Sequence, residues 1–281
     1  MRIKITTDST CDIAPALLAE EDIGTLPLYV VKDGVDYKDG LEINSADIFA
    51  HVEAGGALCG TAAVGVADYH AYFSELLTGY DAIIHVNIGS EFSACHQNAC
   101  LATEKMPNVF PIDSCNLSTG QGIVALEAAR LARAGQQPAE IITALKSLIP
   151  RIEGSFLIDR LDYLHRGGRC SAIAALGANV LRLKPCIQVA GGRMGVGKKY
   201  RGQYDACIRT YTKERLQGRT DIDTSRVYLT YAGATKQTVA AAEEIIRACC
   251  PQAEVIHATA GCTIACHCGP NTLGMFVIKN T

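Results

Sequence analysis

The stretch AIIHVNIGSEFSACHQNA, residues 82–99, places a serine where an anion can bind. Its pattern predicts a buried strand over 82–88, a polar turn over 89–93 and a helix that begins near Ala94. The first turn of a helix carries unpaired N–H groups and the positive end of the helix dipole, which together attract an anion. The hydroxyl of Ser93 can donate to that anion, or it can serve only to cap the helix. Both interpretations stay open on local grounds.

This strand belongs to an alternation of strands and helices in the first half of the chain. Strands are predicted over 2–7, 26–31, 82–88 and 109–112, and helices over 14–21, 66–77, 122–134 and 139–152, with a further helix capped by Ser45. The alternation is typical of a parallel sheet covered by helices on both faces, a three-layer α/β arrangement. In such sheets ligands bind beyond the carboxyl ends of the strands, where we expect three polar loops, 8–10, 89–93 and 113–122.

The second half of the chain, from about residue 155, shows a different pattern. It predicts strands over 156–158, 185–190, 194–200, 227–231, 254–258 and 275–279, with helices over 173–183, 206–216 and 236–248. This pattern indicates a two-layer unit, a mixed sheet with helices on one face. We therefore expect an N-terminal α/β domain over 1–155 and a C-terminal mixed α/β domain over 156–281.

Composition and charge restrict the class of protein. A chain of 281 residues with 48% hydrophobic residues can bury one large core or two medium-sized ones, and its length favours two domains. A net charge of -3 argues against nucleic-acid binding. The thirteen cysteines are expected to be reduced and mostly buried, because the chain starts directly in a strand and shows no signal peptide. Together with the absence of an apolar run of about 18 residues, this predicts a cytoplasmic protein.

Basic residues are concentrated between positions 160 and 201. One acid, Asp162, accompanies nine basic residues, which gives a local charge of +8: Arg160, Arg166, Arg169, Arg182, Lys184, Arg193, Lys198, Lys199 and Arg201. Gly167 and Gly168 let the backbone turn sharply before Arg169 and can hold its guanidinium close to an approaching group. The segment is either a solvated face or a patch that attracts an acidic partner, a nucleotide phosphate or an anionic membrane surface.

Four motifs along the chain resemble those of the DegV family in their order and spacing. They are IDSCNLSTGQG at 112–122, LDYLHRGGR at 161–169, LKP at 183–185 followed by a glycine-rich hairpin and RG, and CHCGPNTLG at 266–274. The resemblance covers the whole chain. It implies a fatty-acid-binding protein with two α/β domains and a long-chain fatty acid between them. The chain would have no cofactor and would be no enzyme itself, but would present the carboxylate to a separate kinase subunit that forms an acyl-phosphate.

The resemblance also implies a set of site residues. Thr61, Ser93 and His267 fall on the positions that bind the carboxylate, and Arg169 and Arg201 fall on positions associated with the kinase or its phosphates. The backbone N–H at Ala94 joins the donors, because the helix is expected to begin there. A carboxylate in an apolar tunnel needs several such donors to offset its desolvation.

Three segments depart from the family pattern. TAAV at 61–64 replaces Thr-Ser-x-Pro, FSAC at 92–95 replaces Leu-Ser-Gly-Thr, and GPN at 269–271 replaces Gly-Pro-Gly. The principal donors survive, so carboxylate binding is expected, whereas the changed wall alters the acyl-chain preference. Helix 173–183 and the small residues of 62–66 are candidate lining. About 15 buried methylenes at roughly 0.8 kcal/mol each gain about 12 kcal/mol gross, so exchange of the chain would need a lid motion or a membrane encounter.

Two other classes of site remain as alternatives. Cys262, Cys266, His267 and Cys268 lie within seven residues and could bind a metal, although three ligands in direct succession do not easily meet one tetrahedral ion. A serine-type acyl hydrolase would use Ser93 or Ser114 with His267, but no Gly-x-Ser-x-Gly motif occurs. A Walker loop and a Gly-x-Gly-x-x-Gly motif are also missing, which argues against ATP binding by this chain alone.

Overall fold

Two large sheets organise the chain in the computed structural model, which describes residues 1–170 and 183–280. The first half contains β1 (Ile3–Asp8), α1 (Pro15–Glu20), β2 (Ile23–Leu26), β3 (Tyr29–Lys32), β4 (Val35–Lys38), α2 (Ser45–Glu53), β5 (Gly60–Ala62), α3 (Val66–Leu76), β6 (Ala82–Asn87), α4 (Cys95–Ala102), β7 (Val109–Asp113), α5 (Thr119–Arg133) and α6 (Pro138–Leu148). The second half contains β8 (Ile152–Leu157), α7 (Leu161–Gly167), β9 (Leu183–Ala190), β10 (Arg193–Arg201), α8 (Tyr204–Leu216), β11 (Arg226–Ala232), α9 (Lys236–Cys249), β12 (Glu254–Thr259), α10 (Cys262–Cys268) and β13 (Thr272–Ile278).

The first sheet is parallel and has the order β2-β1-β6-β7. Every residue of β6 is buried, as expected for a central strand covered on both faces. Ile83 packs with α3 and α4 on one face, and Ile84 packs with α5 and α6 on the other. The predicted parallel sheet between two helical layers is therefore confirmed.

The second sheet is mixed and has the order β10-β9-β8-β13-β11-β12. Its pairs are antiparallel except for β11 with β12. Leu229 shares a buried cluster with Ile208 of α8 and Ile246 of α9 on one face. On the other face Tyr228 and Phe276 pack with α5 of the first half. The mixed sheet thus carries its own helices on one face, as predicted, and the helical layer of the first half covers the other.

The predicted strand 26–31 is wrong, because the structure divides this segment between two sheets. β2 ends at Leu26 in the parallel sheet, and β3 begins at Tyr29 in a small antiparallel sheet of order β4-β3-β5. Pro27 separates them, since its ring nitrogen has no hydrogen to donate to a sheet. The sequence pattern predicts no strand around Thr61, but the structure places this residue in β5, where it pairs with Val30.

Several predicted boundaries are corrected by the structure. Helix 139–152 ends at Leu148, because Pro150 disfavours continuation of an α-helix and a 3-10 turn leads into β8. The domain boundary predicted after residue 155 falls inside β8, all of which belongs to the mixed sheet, and the division into two domains stays a prediction. Helix 173–183 lies outside the described residues apart from Leu183, which begins β9. Within 1–170 and 183–280, none of the helices is both long enough and apolar enough to cross a bilayer.

Candidate functional site

One cavity of about 170 Å³ brings together most of the residues singled out in the sequence. Thr61, Ser93, Ala94, His267 and Arg169 all line it. They come from β5, the turn before α4, α10 and the turn after α7, so both halves of the chain contribute. The remaining lining is mostly apolar and includes Leu28, Ala62, Ala63, Ile88, Phe92, Leu117, Phe156, Leu164, Met194 and Ile264.

Not every predicted residue belongs to this cavity. Arg201 ends β10, where it is exposed and does not line the cavity. Of the small residues proposed as lining, Ala62 and Ala63 are present, whereas Val64 is packed into the buried core. The hydroxyls of Thr61 and Ser93, the imidazole of His267 and the guanidinium of Arg169, together with the apolar side chains, make the cavity amphipathic.

The central contact of the site joins two residues that are 206 positions apart. Thr61 Oγ1 lies 2.9 Å from His267 Nε2. The second ring nitrogen of His267, Nδ1, is buried and has no hydrogen-bond partner among the described residues. It faces Gly167, where an added Cβ would lie 2.2 Å from Nδ1. The imidazole is thus confined between β5 and the end of α7.

His267 is held in its neutral form. Burial, together with the positive charge of Arg169, lowers the pKa of His267 from 6.5 to about 4. At neutral pH the ring therefore offers one N–H donor and one acceptor nitrogen.

This shift predicts a loss of stability in acid. The unfolded chain protonates His267 near pH 6.5 and the folded chain only near pH 4, so the unfolded state binds more protons between these values. Stability must then fall as the pH drops through this window. We expect His267 to contribute about 2 kcal/mol to the decrease in unfolding free energy between pH 7 and pH 5. Urea unfolding of the wild type and of His267→Gln measures this contribution, and an equal decrease in both proteins would contradict it.

Ser93 bonds through its side chain to the start of α4, and its role as a donor to an anion stays a prediction. Its Oγ accepts a hydrogen bond from the backbone N–H of Cys95, the first residue of α4, at 3.3 Å. Its hydroxyl donates to Cys95 Sγ at 3.2 Å. Sulfur is a weak acceptor, so this hydroxyl can turn towards a better acceptor in the cavity at little cost. Burial raises the pKa of Cys95 to about 11, which keeps its thiol protonated and unreactive at neutral pH.

Arg169 connects the two halves of the chain beside the cavity. Its Nη1 donates to the carbonyl of Gly167 at 2.7 Å, and its Nε donates to the carbonyl of Phe92 at 3.4 Å. Gly168, which lies between Gly167 and Arg169 in the chain, adopts φ +66°, a conformation that favours glycine. The turn therefore holds a positive charge next to the Ser93 turn.

Asn271 stands where the family pattern has a glycine, and its backbone adopts a conformation that glycine favours. Asn271 adopts φ 56°, which asparagine tolerates better than most other non-glycine residues. Its side chain donates to Asp159 Oδ2 at 3.3 Å, and Asp159 also binds the ammonium group of Lys184. This replacement keeps the turn that follows α10 and ties it to the loop after β8.

The structure gives no support to the two alternative sites. Among the described residues, no group of three potential metal ligands is close enough to hold an ion. Ser114 is fully buried and donates to the carbonyl of Asn116 at 3.1 Å, and His267 contacts a threonine. The cysteines near His267 are buried; burial raises the pKa of Cys268 to about 12, so its thiol is a poor ligand without a metal to deprotonate it.

Comparison with known proteins matches the chain to one family over nearly its whole length. The family model described as "Uncharacterised protein, DegV family" matches residues 2–280. A DegV domain-containing protein of Caldanaerobacter subterraneus subsp. tengcongensis is 32% identical over 277 residues, which cover 98% of each chain. The chain belongs to the DegV family. The resemblance seen in the motifs is thereby confirmed.

Solved structures of the DegV family share the fold. A fatty-acid-binding DegV family protein from Thermus thermophilus superposes with a TM-score of 0.88 at 28% identity, covering 100% of both chains. DegV from Bacillus subtilis, described as a fatty acid binding protein, gives a TM-score of 0.84 at 26% identity, again covering 100% of both. Both of these relatives are described as fatty-acid-binding proteins.

Proposed function

We propose that this protein binds a long-chain fatty acid in the cavity that Thr61, Ser93 and His267 line, with the carboxylate at these three side chains. The observation that carries the proposal is their convergence on one amphipathic cavity from both halves of the chain. The fatty acids bound by related DegV proteins support the same ligand class.

The polar wall suits a carboxylate. A buried carboxylate needs several hydrogen-bond donors, and charge-assisted bonds are stronger than neutral ones. The hydroxyls of Thr61 and Ser93, the N–H of neutral His267 and the backbone N–H of Ala94 supply donors, and Arg169 supplies a nearby positive charge. The carboxylate replaces the contact between Thr61 and His267 and the weak contact between Ser93 and Cys95.

The apolar wall suits the acyl chain. Leu28, Ile88 and Phe156 line the main cavity, and a smaller cavity of about 30 Å³ shares the walls formed by Leu117, Phe156, Ile264 and Cys268. Each buried methylene gains about 0.8 kcal/mol, so the chain supplies most of the binding free energy. The cytoplasmic location expected from the sequence is compatible with such a carrier.

A separate kinase subunit is proposed to act on the carboxylate of the bound acid. Arg169 lies on the rim, and Arg166, Lys199 and Arg201 are exposed. The basic segment 160–201 is less positive than its sequence indicated, because carboxylates neutralise several of its basic residues. The pairs are Arg160 with Asp162, Lys184 with Asp159, Arg193 with Glu91 and Lys198 with Glu214. The exposed cations remain suited to the phosphates of a kinase-bound nucleotide or to an anionic membrane surface during transient contact.

Native mass spectrometry with lipid extraction tests the proposal. We expect one fatty acid per chain in the purified wild-type protein. Ser93→Ala and Thr61→Val each remove one hydroxyl donor and should weaken binding of a fluorescent fatty acid roughly tenfold or more, since a hydrogen bond to a charged group contributes about 1.5 to 3 kcal/mol.

Ser90→Ala provides the matched control. Ser90 lies in the same turn as Ser93 and bonds to Asp113, outside the cavity lining. This variant should retain wild-type affinity. A wild-type protein that carries no lipid and takes up no added fatty acid would refute the proposed function.

A further inference from the structure

Two buried carboxyl groups from the first half of the chain hold the start of α10. Asp39 Oδ1 accepts the backbone N–H of Cys262 at 2.9 Å, and its Oδ2 accepts that of Thr263 at 3.2 Å. Asp12 Oδ1 accepts the backbone N–H of Gly261 at 2.8 Å. Two side chains thus satisfy three successive N–H groups. Their exposed fractions are only 4% for Asp39 and 6% for Asp12.

These contacts matter because α10 is very short. It has seven residues, and helices of this length are not stable on their own in water. Its first N–H groups have no partners within the helix, so their position depends on acceptors elsewhere. His267 lies in the last turn of α10, and Ile264 and Cys268 of the same helix line the cavity. Whatever fixes the start of α10 therefore fixes one wall of the site.

Asp39 is also connected to another residue that lines the cavity. Ser9 Oγ donates to Asp39 Oδ2 at 3.0 Å and accepts the backbone N–H of Leu28 at 3.1 Å. The backbone N–H of Asp39 donates to the carbonyl of Leu28 at 2.9 Å. Leu28 itself lines the cavity. The carboxyl group of Asp39 therefore links α10 to the connection between β2 and β3, which contains Leu28.

We propose that Asp39 is a positioning residue for the carboxylate site, which holds the start of α10 so that His267 stands against Thr61. The inference about binding rests on the proposed fatty-acid function, whereas the placement of His267 can be measured without any ligand.

Asp12 offers a matched comparison, because the same substitution meets different partners there. In Asp39 both oxygens accept a backbone N–H, so an amide at this position would set its NH₂ group against another donor. Asp12 Oδ2 instead contacts the hydroxyl of Ser118, which can either donate or accept. Burial raises the pKa of Asp12 to about 8, so this group is largely protonated at neutral pH and an amide reproduces its hydrogen bonding.

The test compares Asp39→Asn with Asp12→Asn in the full chain. Nuclear magnetic resonance of the imidazole groups, with the His267 signal assigned from its loss in His267→Gln, reports the pKa of His267 in the ligand-free protein. For Asp39→Asn we expect this pKa to rise from about 4 towards 6.5 as water reaches the ring, and binding of a fluorescent fatty acid to weaken about tenfold. Asp12→Asn should keep the pKa of His267 and the affinity of the wild type.

A milder variant covers the case in which Asp39→Asn does not fold. Ser9→Ala leaves the N–H contacts of Asp39 to α10 intact and removes the hydroxyl that bonds both to Asp39 and to the backbone N–H of Leu28, so we expect a smaller rise in the same pKa. An unchanged His267 pKa in Asp39→Asn, or in Ser9→Ala if the former does not fold, would overturn the positioning role. A raised pKa in a protein that binds no fatty acid would support the positioning role and refute only the proposed ligand.

Discussion

Asp8→Ala is expected to lower the unfolding free energy by about 4 kcal/mol, the largest stability effect of any single change considered for this protein. Asp8 is fully buried at the end of β1. Its carboxyl group accepts hydrogen bonds from Tyr69 at 2.6 Å, from His85 at 3.0 Å and from the backbone N–H of Ile88 at 2.9 Å. Alanine would leave these buried donors without an acceptor. Urea unfolding measures the difference.

The exposed residue Asp36 provides the control for this change. It lies on β4, and Asp36→Ala should change stability by less than about 0.5 kcal/mol. Because the bond to Ile88 holds the start of the turn that carries Ser93, Asp8→Ala should also reduce retention of the ligand. A decrease in stability below about 1 kcal/mol would show that water or a rearranged partner satisfies the donors.

The parts of the fold that the sequence predicted well depend on local patterns. The segment around Ser93 is the best example: a run of apolar residues, a small polar turn and a helix start follow one another within eighteen residues, and the structure has β6 and α4 in these places. In the second half, the glycine-rich turn at Gly191 predicts a hairpin. The structure confirms it, because both glycines of the turn adopt positive φ and the flanking runs pair as β9 and β10.

The elements that were missed depend on contacts between distant parts of the chain. β5 has only three residues and is defined by its pairing with β3, which no local pattern reveals. The helix α10 was not predicted either, since a seven-residue segment rich in cysteine has no clear amphipathic period and takes its start from Asp12 and Asp39. These two elements contain Thr61 and His267, so the local sequence pattern could not predict the geometry of the site.

The same reasoning explains why the family motifs predicted candidate site residues that periodicity could not. The sequence predicts that Gly167 and Gly168 turn the backbone before Arg169, whereas a role of Gly167 in shaping the site follows only from its neighbours in the fold. Gly167 faces His267 of α10, and Arg169 reaches the carbonyl of Phe92. The sequence shows two adjacent glycines, but the role of Gly167 depends on His267, which lies one hundred positions further along the chain.

Gly167→Ala is expected to weaken fatty-acid binding at least about tenfold while leaving the protein folded. A Cβ at this position would lie 2.2 Å from His267 Nδ1 and 3.1 Å from Cε1, so the imidazole must move. Moving it breaks the alignment with Thr61, on which the proposed carboxylate site depends. Gly167 ends α7 with an ordinary φ, so alanine there adds helix propensity of up to about 1 kcal/mol, which offsets part of the packing strain.

Gly168→Ala provides the matched control for Gly167→Ala. A Cβ at Gly168 meets no atom of residues 1–170 or 183–280 within 4 Å, but Gly168 adopts φ +66°, where alanine costs about 1 kcal/mol. We therefore expect Gly168→Ala to lose stability in urea and to keep near wild-type affinity for a fluorescent fatty acid, and Gly167→Ala to keep most of its stability and to lose affinity. Equal affinity in both variants would mean that the position of His267 does not control binding. If the two variants separate as expected, adjacent glycines of one turn serve different purposes: Gly168 allows the chain to turn, and Gly167 makes room for the imidazole that faces the ligand.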